Sequence, residues 1–174
     1  MTAPDIVLRF VYQPPGSNSD IRTFRVHHLQ EGSENYFELY KFYHPITGMT
    51  SGSTTFHRKN RATLVWEPAG QIEWSSNSNA MIQFGIDEVS IRDLRRAKKS
   101  SSKSRRFKAG GSEYKWKVDD NGTDLFCVDS WGKVVATWSQ EDLTLRVASQ
   151  VEGILDRVVV TCLINLWIRQ LGFW

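Results

Sequence analysis

Near its C-terminal end the chain carries a run that no half-exposed element tolerates. Between Val158 and Ile168 only Thr161 and Asn165 are polar, and a helix that is apolar all round must be covered on every side. The β-branched stretch Val158-Val-Val-Thr161 is poor helix material and keeps a strand reading open. Length favours the helix, because an unbroken stretch of about 20 residues exceeds an ordinary strand. We therefore expect a buried helix at 151–171. Asp156 and Arg157 interrupt the start of the run and leave about 11 to 15 apolar residues, where a membrane span needs about 20. A tail anchor or interfacial segment is the alternative, helped by Gly172-Phe-Trp174.

Upstream, the sequence supplies covering surfaces. Nine Phe, seven Trp and five Tyr in 174 residues suit pleated sheets, and short alternating runs recur about every 8 to 12 residues with turn signals between them. Strands are expected at Asp5–Tyr12, Ile21–His28, Tyr36–Tyr43, Thr54–Arg58, Ala62–Trp66, Gln71–Trp74, Ala80–Phe84, Glu113–Val118, Leu125–Val128 and Lys133–Trp138. A last strand turns Leu143, Leu145 and Val147 inward. Gln13-Pro-Pro-Gly16, the loop Ile46 to Gly52, Pro68-Ala-Gly70 and Ser75 to Asn79 read as breaks. Asp119-Asp-Asn-Gly122 reads as a type I′ hairpin turn. Ser90-x-x-Asp93 fits a capping box and predicts one short helix near 90–99, which dissolves into a flexible insertion near 98–104. The expected fold is mainly β: an antiparallel barrel of about 10–12 strands around a hydrophobic C-terminal helix, one domain over 1–174.

The net charge of +3 is unevenly spread. Arg92, Arg95, Arg96, Lys98, Lys99, Lys103, Arg105, Arg106 and Lys108 fall within 17 residues against the single Asp93, a local +8 that leaves about −5 for the rest. Such a cluster attracts an anionic membrane surface or a phosphoinositide headgroup. It also suits nucleic-acid phosphates or nuclear import, or is a solvated loop with no partner. Phosphorylation of Ser100, Ser101, Ser102 or Ser104 would cut its charge.

Catalytic signals are weak. His27, His28, His44 and His57 show no metal spacing and read as surface or strand-end residues. Cys127 and Cys162 sit in apolar runs, too few for a disulfide framework and wrongly spaced for zinc. Asp156 suits the N-terminal dipole of the closing helix. Tyr36, Tyr40 and Tyr43 line either a groove or the core. We expect no enzyme, cofactor or metal, with a small enzyme sited at a barrel rim as the alternative. No secretory leader is visible, so the expected location is cytoplasmic, with peripheral membrane or nuclear placement as variants.

Six stretches in order carry a resemblance: Gln-Ile-Glu-Trp (71–74), Arg-Arg-Phe (105–107), Glu-Tyr-Lys-Trp-Lys (113–117), Leu-Phe-Cys (125–127), Val-Val-Ala-Thr-Trp (134–138) and Gly-Ile-Leu-Asp-Arg-Val-Val-Val-Thr-Cys-Leu (153–163). Together they resemble an uncharacterised family of small proteins from mushroom-forming fungi, similar to the tubby C-terminal, LURP-one-related and phospholipid-scramblase group. The resemblance covers roughly 50–171 and implies a twelve-stranded barrel threaded by a hydrophobic C-terminal helix. It departs from scramblases in lacking the acidic calcium loop, the palmitoylated cysteine run and the Pro-rich arm. Tubby proteins bind phosphoinositides through Lys and Arg that do not align residue by residue here, so none is carried over.

Overall fold

The computed structural model describes residues 3–12, 20–46 and 51–174. The break at Gln13-Pro-Pro-Gly16 and most of the loop after Pro45 lie outside them. The described chain is mainly β. In order it forms β1 (Ile6–Tyr12), β2 (Phe24–Leu29), β3 (Tyr36–Tyr43), β4 (Gly52–Lys59), β5 (Trp66–Trp74), β6 (Ala80–Phe84) and β7 (Asp87–Ser90). A four-residue helix α1 (Ile91–Leu94) follows, then β8 (Arg105–Ala109), β9 (Ser112–Val118), β10 (Leu125–Val128), β11 (Val134–Ser139) and β12 (Thr144–Val147). A 3-10 segment (Ser149–Ile154) leads into α2 (Leu155–Gln170).

The twelve strands lie in the order β7-β6-β5-β4-β3-β2-β1-β12-β11-β10-β9-β8, with antiparallel pairing as in β1–β12 and β2–β3. The expected strand number is met, but the sheet is open, with β7 and β8 as its ends. The outer edge of β8 is occupied: Arg96 and Arg106 exchange both backbone hydrogen bonds, at 2.9 and 2.8 Å. That bridge covers the edge at Arg106, whose backbone groups are then not free to pair with another strand.

The chain forms two compact units, one from Phe10 to Ile91 and one from the residues up to Arg9 together with Arg92–Trp174. In the Phe10–Ile91 unit one phenylalanine from each of β1 to β4 stacks on the next. Phe10–Phe24, Phe24–Phe42 and Phe42–Phe56 centroids lie 4.8, 4.6 and 5.1 Å apart. Such cross-strand aromatic pairs stabilise a sheet beyond their buried area. Of the three tyrosines on β3, Tyr40 is core, whereas Tyr36 and Tyr43 are exposed. The strand expected over Ala62–Trp66 begins only at Trp66. Pro68-Ala-Gly70 is not a break but part of β5. The register slips between Phe56 and His57, a bulge that accommodates a proline in a strand. Gly70 admits the Phe56 ring, since a Cβ there would sit 2.4 Å from its Cζ.

Within this unit lies a polar network. Arg22 is fully buried, pairs with Asp20 at 2.5 Å and stands 5.1 Å over Trp74. Trp74 Nε1 donates to Thr54 Oγ1 at 2.9 Å, and His44 Nδ1 meets the same hydroxyl at 2.8 Å. His44, expected as a surface or strand-end residue, stands at the end of β3 and is buried.

In the other unit α2 is the core: every residue from Val158 to Ile168 is buried. The helix begins at Leu155, four residues later than expected, because Val151 leaves helical geometry. The two polar residues within the Val158–Ile168 run are both anchored. Trp116 Nε1 donates to Thr161 Oγ1 at 2.8 Å, and that hydroxyl donates to the Arg157 carbonyl at 2.7 Å. The β9–β10 turn differs from a type I′ turn: only Gly122 takes positive φ, at 75°, and Asn121 Oδ1 accepts from the Thr123 and Asp124 amides. No helix among the described residues is long and apolar enough to cross a membrane.

Candidate anion-binding site

The basic segment begins on α1, held down by the buried Ile91 and Leu94, with Arg92 exposed between them. The helix expected to reach residue 99 stops at Leu94, because Arg96 leaves it to bridge Arg106 on β8. Lys98 and Lys99 are exposed beyond that bridge. The Ser102 amide then donates to the Lys99 carbonyl at 2.9 Å, closing a turn within the serine-rich stretch. Arg105 Nη1 spans the turn, donating to the Ser102 and Ser104 carbonyls at 2.8 and 3.0 Å.

The nine predicted cations divide by burial. Arg92, Arg96, Lys98, Lys99, Lys103 and Lys108 are exposed, whereas Arg95, Arg105 and Arg106 are half-buried. Arg96 pairs with Asp93 at 3.4 Å and Arg106 with Glu113 at 2.7 Å. Among the described residues neither Arg95 nor Arg105 has an acidic side chain within ion-pair distance. Arg95 Nε donates instead to Asn165 Oδ1 at 2.7 Å, while Arg95 Nη2 and Asn165 Nδ2 are buried with no hydrogen-bond acceptor opposite them.

Trp174 joins the two arginines. Its ring lies 5.7 Å from each guanidinium carbon, its Nε1 donates to the Lys103 carbonyl at 2.6 Å, and its own main-chain oxygen accepts from Arg105 Nη2. Burial lowers the Arg95 pKa to about 10, and the neighbouring Arg105 charge adds to the shift. Arg105 is lowered by burial as well. Desolvated cations with no acidic side chain opposite them are stabilised by an approaching anion.

Two further cations lie outside the contiguous run, on the face of the sheet that Arg106 takes, whereas Arg105, paired with buried Trp116, takes the other face by alternation. On β9, Lys115 stands opposite Arg106, and Lys117 shares its face by strand alternation. Burial lowers Lys115 first, and Lys117, Arg106 and Lys98 lower it further. The signal was present in the alternating Glu113, Lys115 and Lys117, but a count confined to the contiguous basic run passes over it. Glu113 is held below its ordinary value chiefly by its hydrogen bond from Arg106.

Burial pushes the Cys127 and Cys162 thiols well up, and no group of three metal-ligating side chains occurs among the described residues.

Sheet and helix together define the class: a mainly β protein in which a buried C-terminal helix forms the core of one unit. The particular family is set by the chain itself. Residues 28–170 match a family described as "Family of unknown function (DUF6593)", and the protein belongs to it. No curated protein and no solved structure matches the chain.

Proposed function

We propose that this protein is a non-enzymatic binding module that docks on an anionic membrane surface, with phosphoinositide headgroups as the preferred ligand, through the 92–108 segment and its β9 neighbours. The observation that carries the reading is the positive charge around Arg95 and Arg105, half-buried guanidiniums that no acidic side chain offsets, with exposed Arg92, Lys98, Lys99, Lys103 and Lys108 nearby in sequence. Each basic side chain close to an anionic surface adds to its attraction. The same reading takes the sheet and its helix as a relative of the tubby-like barrels. The twelve strands and the fully buried run of α2 support it. The location that follows is peripheral, on a cytoplasmic membrane face.

Vesicle co-sedimentation tests the proposal, with and without phosphoinositide and at two salt concentrations. The variant R92A/K98A/K99A/K103A removes only exposed side chains. It should bind anionic vesicles more weakly by about two to three orders of magnitude. Equal binding by variant and parent would sink the membrane reading. Tighter salt-dependent binding to duplex DNA than to vesicles would transfer the same surface to nucleic acid.

A further inference from the structure

The β4–β5 hairpin tip lies far in sequence from the basic segment, and its chemistry is different. Residues Ala62-Thr-Leu-Val65 fall in the connection between Lys59 and Trp66, and all four are exposed, Leu64 at 64% and Val65 at 57%. Alternation within a strand predicts Leu64 on an inner face. The structure instead puts it in the left-handed region at φ 61°, a conformation unfavourable to residues carrying a Cβ. A strained, exposed leucine at a turn stabilises nothing within the unit.

The tip's backbone is closed by side-chain hydrogen bonds of the kind that Asn121 makes in the β9–β10 turn. Asn60 Oδ1 accepts from the Ala62 and Thr63 amides at 2.9 and 3.0 Å. The Asn60 carbonyl accepts from the Leu64 amide at 2.8 Å, and Thr63 Oγ1 from the Val65 amide at 3.3 Å. Every backbone N–H from Ala62 to Val65 is thus satisfied inside the hairpin. A segment entering a water-poor layer needs its backbone groups satisfied, and the amides of this turn already are.

Successive turns of an antiparallel meander alternate between its two ends. The β6–β7 turn therefore emerges at the same end as the β4–β5 tip, and it displays Ile86, 102% exposed. Behind the β4–β5 tip lies a belt of rings and cations. Lys41 and Lys59 stand 4.7 and 4.9 Å over Trp66, and Arg61 stands 4.5 Å over Phe37. Apolar tips followed by Trp, Lys and Arg reproduce the layering of a bilayer interface, where amphipathic side chains sit at headgroup level. Glu31, Glu34, Glu38, Glu67, Asp87 and Glu88 lie around the same end, with Glu38 pairing with Lys59 at 3.8 Å, so charge does not draw that end to an anionic surface.

We propose that the Ala62–Val65 tip is a membrane-insertion loop, with Leu64 and Val65 entering the boundary between headgroups and acyl chains and Ile86 supporting them. The inference rests on the membrane reading of the protein. It adds a contact driven by apolar burial rather than by charge, and therefore insensitive to salt.

The test places an environment-sensitive fluorophore on Leu64→Cys, with Ser78→Cys on the opposite turn as control. The native cysteines are buried and compete little for the label. On vesicles of phosphatidylcholine with phosphatidylserine, at lipid concentrations that keep the protein bound in either salt, the position-64 probe should shift to the blue and be quenched by spin-labelled lipid in low and high salt alike. The position-78 probe should do neither. The variant L64S/V65S should partition about tenfold to a hundredfold more weakly. A position-64 probe that stays in water while the protein sediments with vesicles overturns the insertion loop and leaves the basic-surface reading intact. Insertion that survives R92A/K98A/K99A/K103A with unchanged affinity overturns the basic-surface reading and leaves the loop intact.

Discussion

Thr161 and Asn165, the two polar residues that break the apolar run of α2, are each fastened by a donor from another element. Replacing Thr161 by Val keeps the volume but leaves the Trp116 indole N–H with no acceptor. An orphaned buried donor costs about 1–3 kcal/mol, so Thr161→Val should lower unfolding free energy by that amount in urea titration, with an unchanged m-value. Asp20 gives a pH-dependent counterpart. Burial alone would raise its pKa, but the Arg22 side-chain and backbone hydrogen bonds and charge, with a smaller contribution from His44, leave it below 3.8. A carboxylate lowered on folding stabilises the protein above its unfolded pKa, and that contribution is lost as pH falls through the folded value. The melting temperature should therefore drop on acidification below about pH 4, and Asp20→Asn should flatten that part of the profile. Because the neutral amide removes the carboxylate that faces buried Arg22, the variant should also be less stable at neutral pH, by roughly 3 kcal/mol. A steep acid limb retained by Asp20→Asn would exclude this pair as its source.

At the scale of elements, short apolar and aromatic runs bounded by turn residues were the most readable. Tyr36–Tyr43, Ala80–Phe84 and Leu125–Val128 occur as strands with the bounds expected from their side chains. The misreadings come from residues whose local preference was overruled. Pro68 and Gly70 signal a turn, yet β4 and β6 flank them and a bulge absorbs the proline. Leu64 and Leu143 look like inward strand positions, yet both sit in turns at positive φ, 61° and 54°. No alternation pattern can register a leucine held left-handed. Of the candidate site, the contiguous cations were legible because charge is written in composition. Their sorting into exposed, ion-paired and desolvated groups was not, because it depends on Glu113, Asn165 and Trp174, which are 7 to 70 residues away. Gly70 offers a sharp check. A Cβ there would lie 2.0 Å from the Gln83 carbonyl oxygen and 2.4 Å from the Phe56 ring, and backbone cannot yield as a flexible side chain does. Gly70→Ala should destabilise by more than about 3 kcal/mol. Leu64→Gly should act in the opposite sense, stabilising by up to about 1 kcal/mol through relief of left-handed strain, and both are read by the same denaturation midpoint.

On the scale of the whole molecule, the apolar run that constrains the sequence also constrains what can be removed. All residues from Val158 to Ile168 are buried, among them three valines, a leucine and an isoleucine at zero exposure. Each fully buried aliphatic side chain contributes about 1.5–3 kcal/mol relative to its exposed state, and a domain's net stability is only about 5–15 kcal/mol. Deleting α2 therefore removes more than the fold has in reserve, and it strips cover from Trp116 on β9. A chain ending before Gly153 should lose the cooperative melt of β8–β12 and accumulate in the insoluble fraction, since exposed strands with unsatisfied apolar faces aggregate. Solubility and circular dichroism of that truncation decide the matter. A soluble, β-rich product with a sharp thermal transition would mean that the strands close a core of their own and that the helix is an appendage. Precipitation alone would not discriminate a lost core from a sticky edge. Supplying α2 as a separate synthetic peptide during refolding does so: recovery of soluble, cooperatively melting protein is expected if the helix is the missing core, and no recovery at any peptide concentration would overturn that assignment.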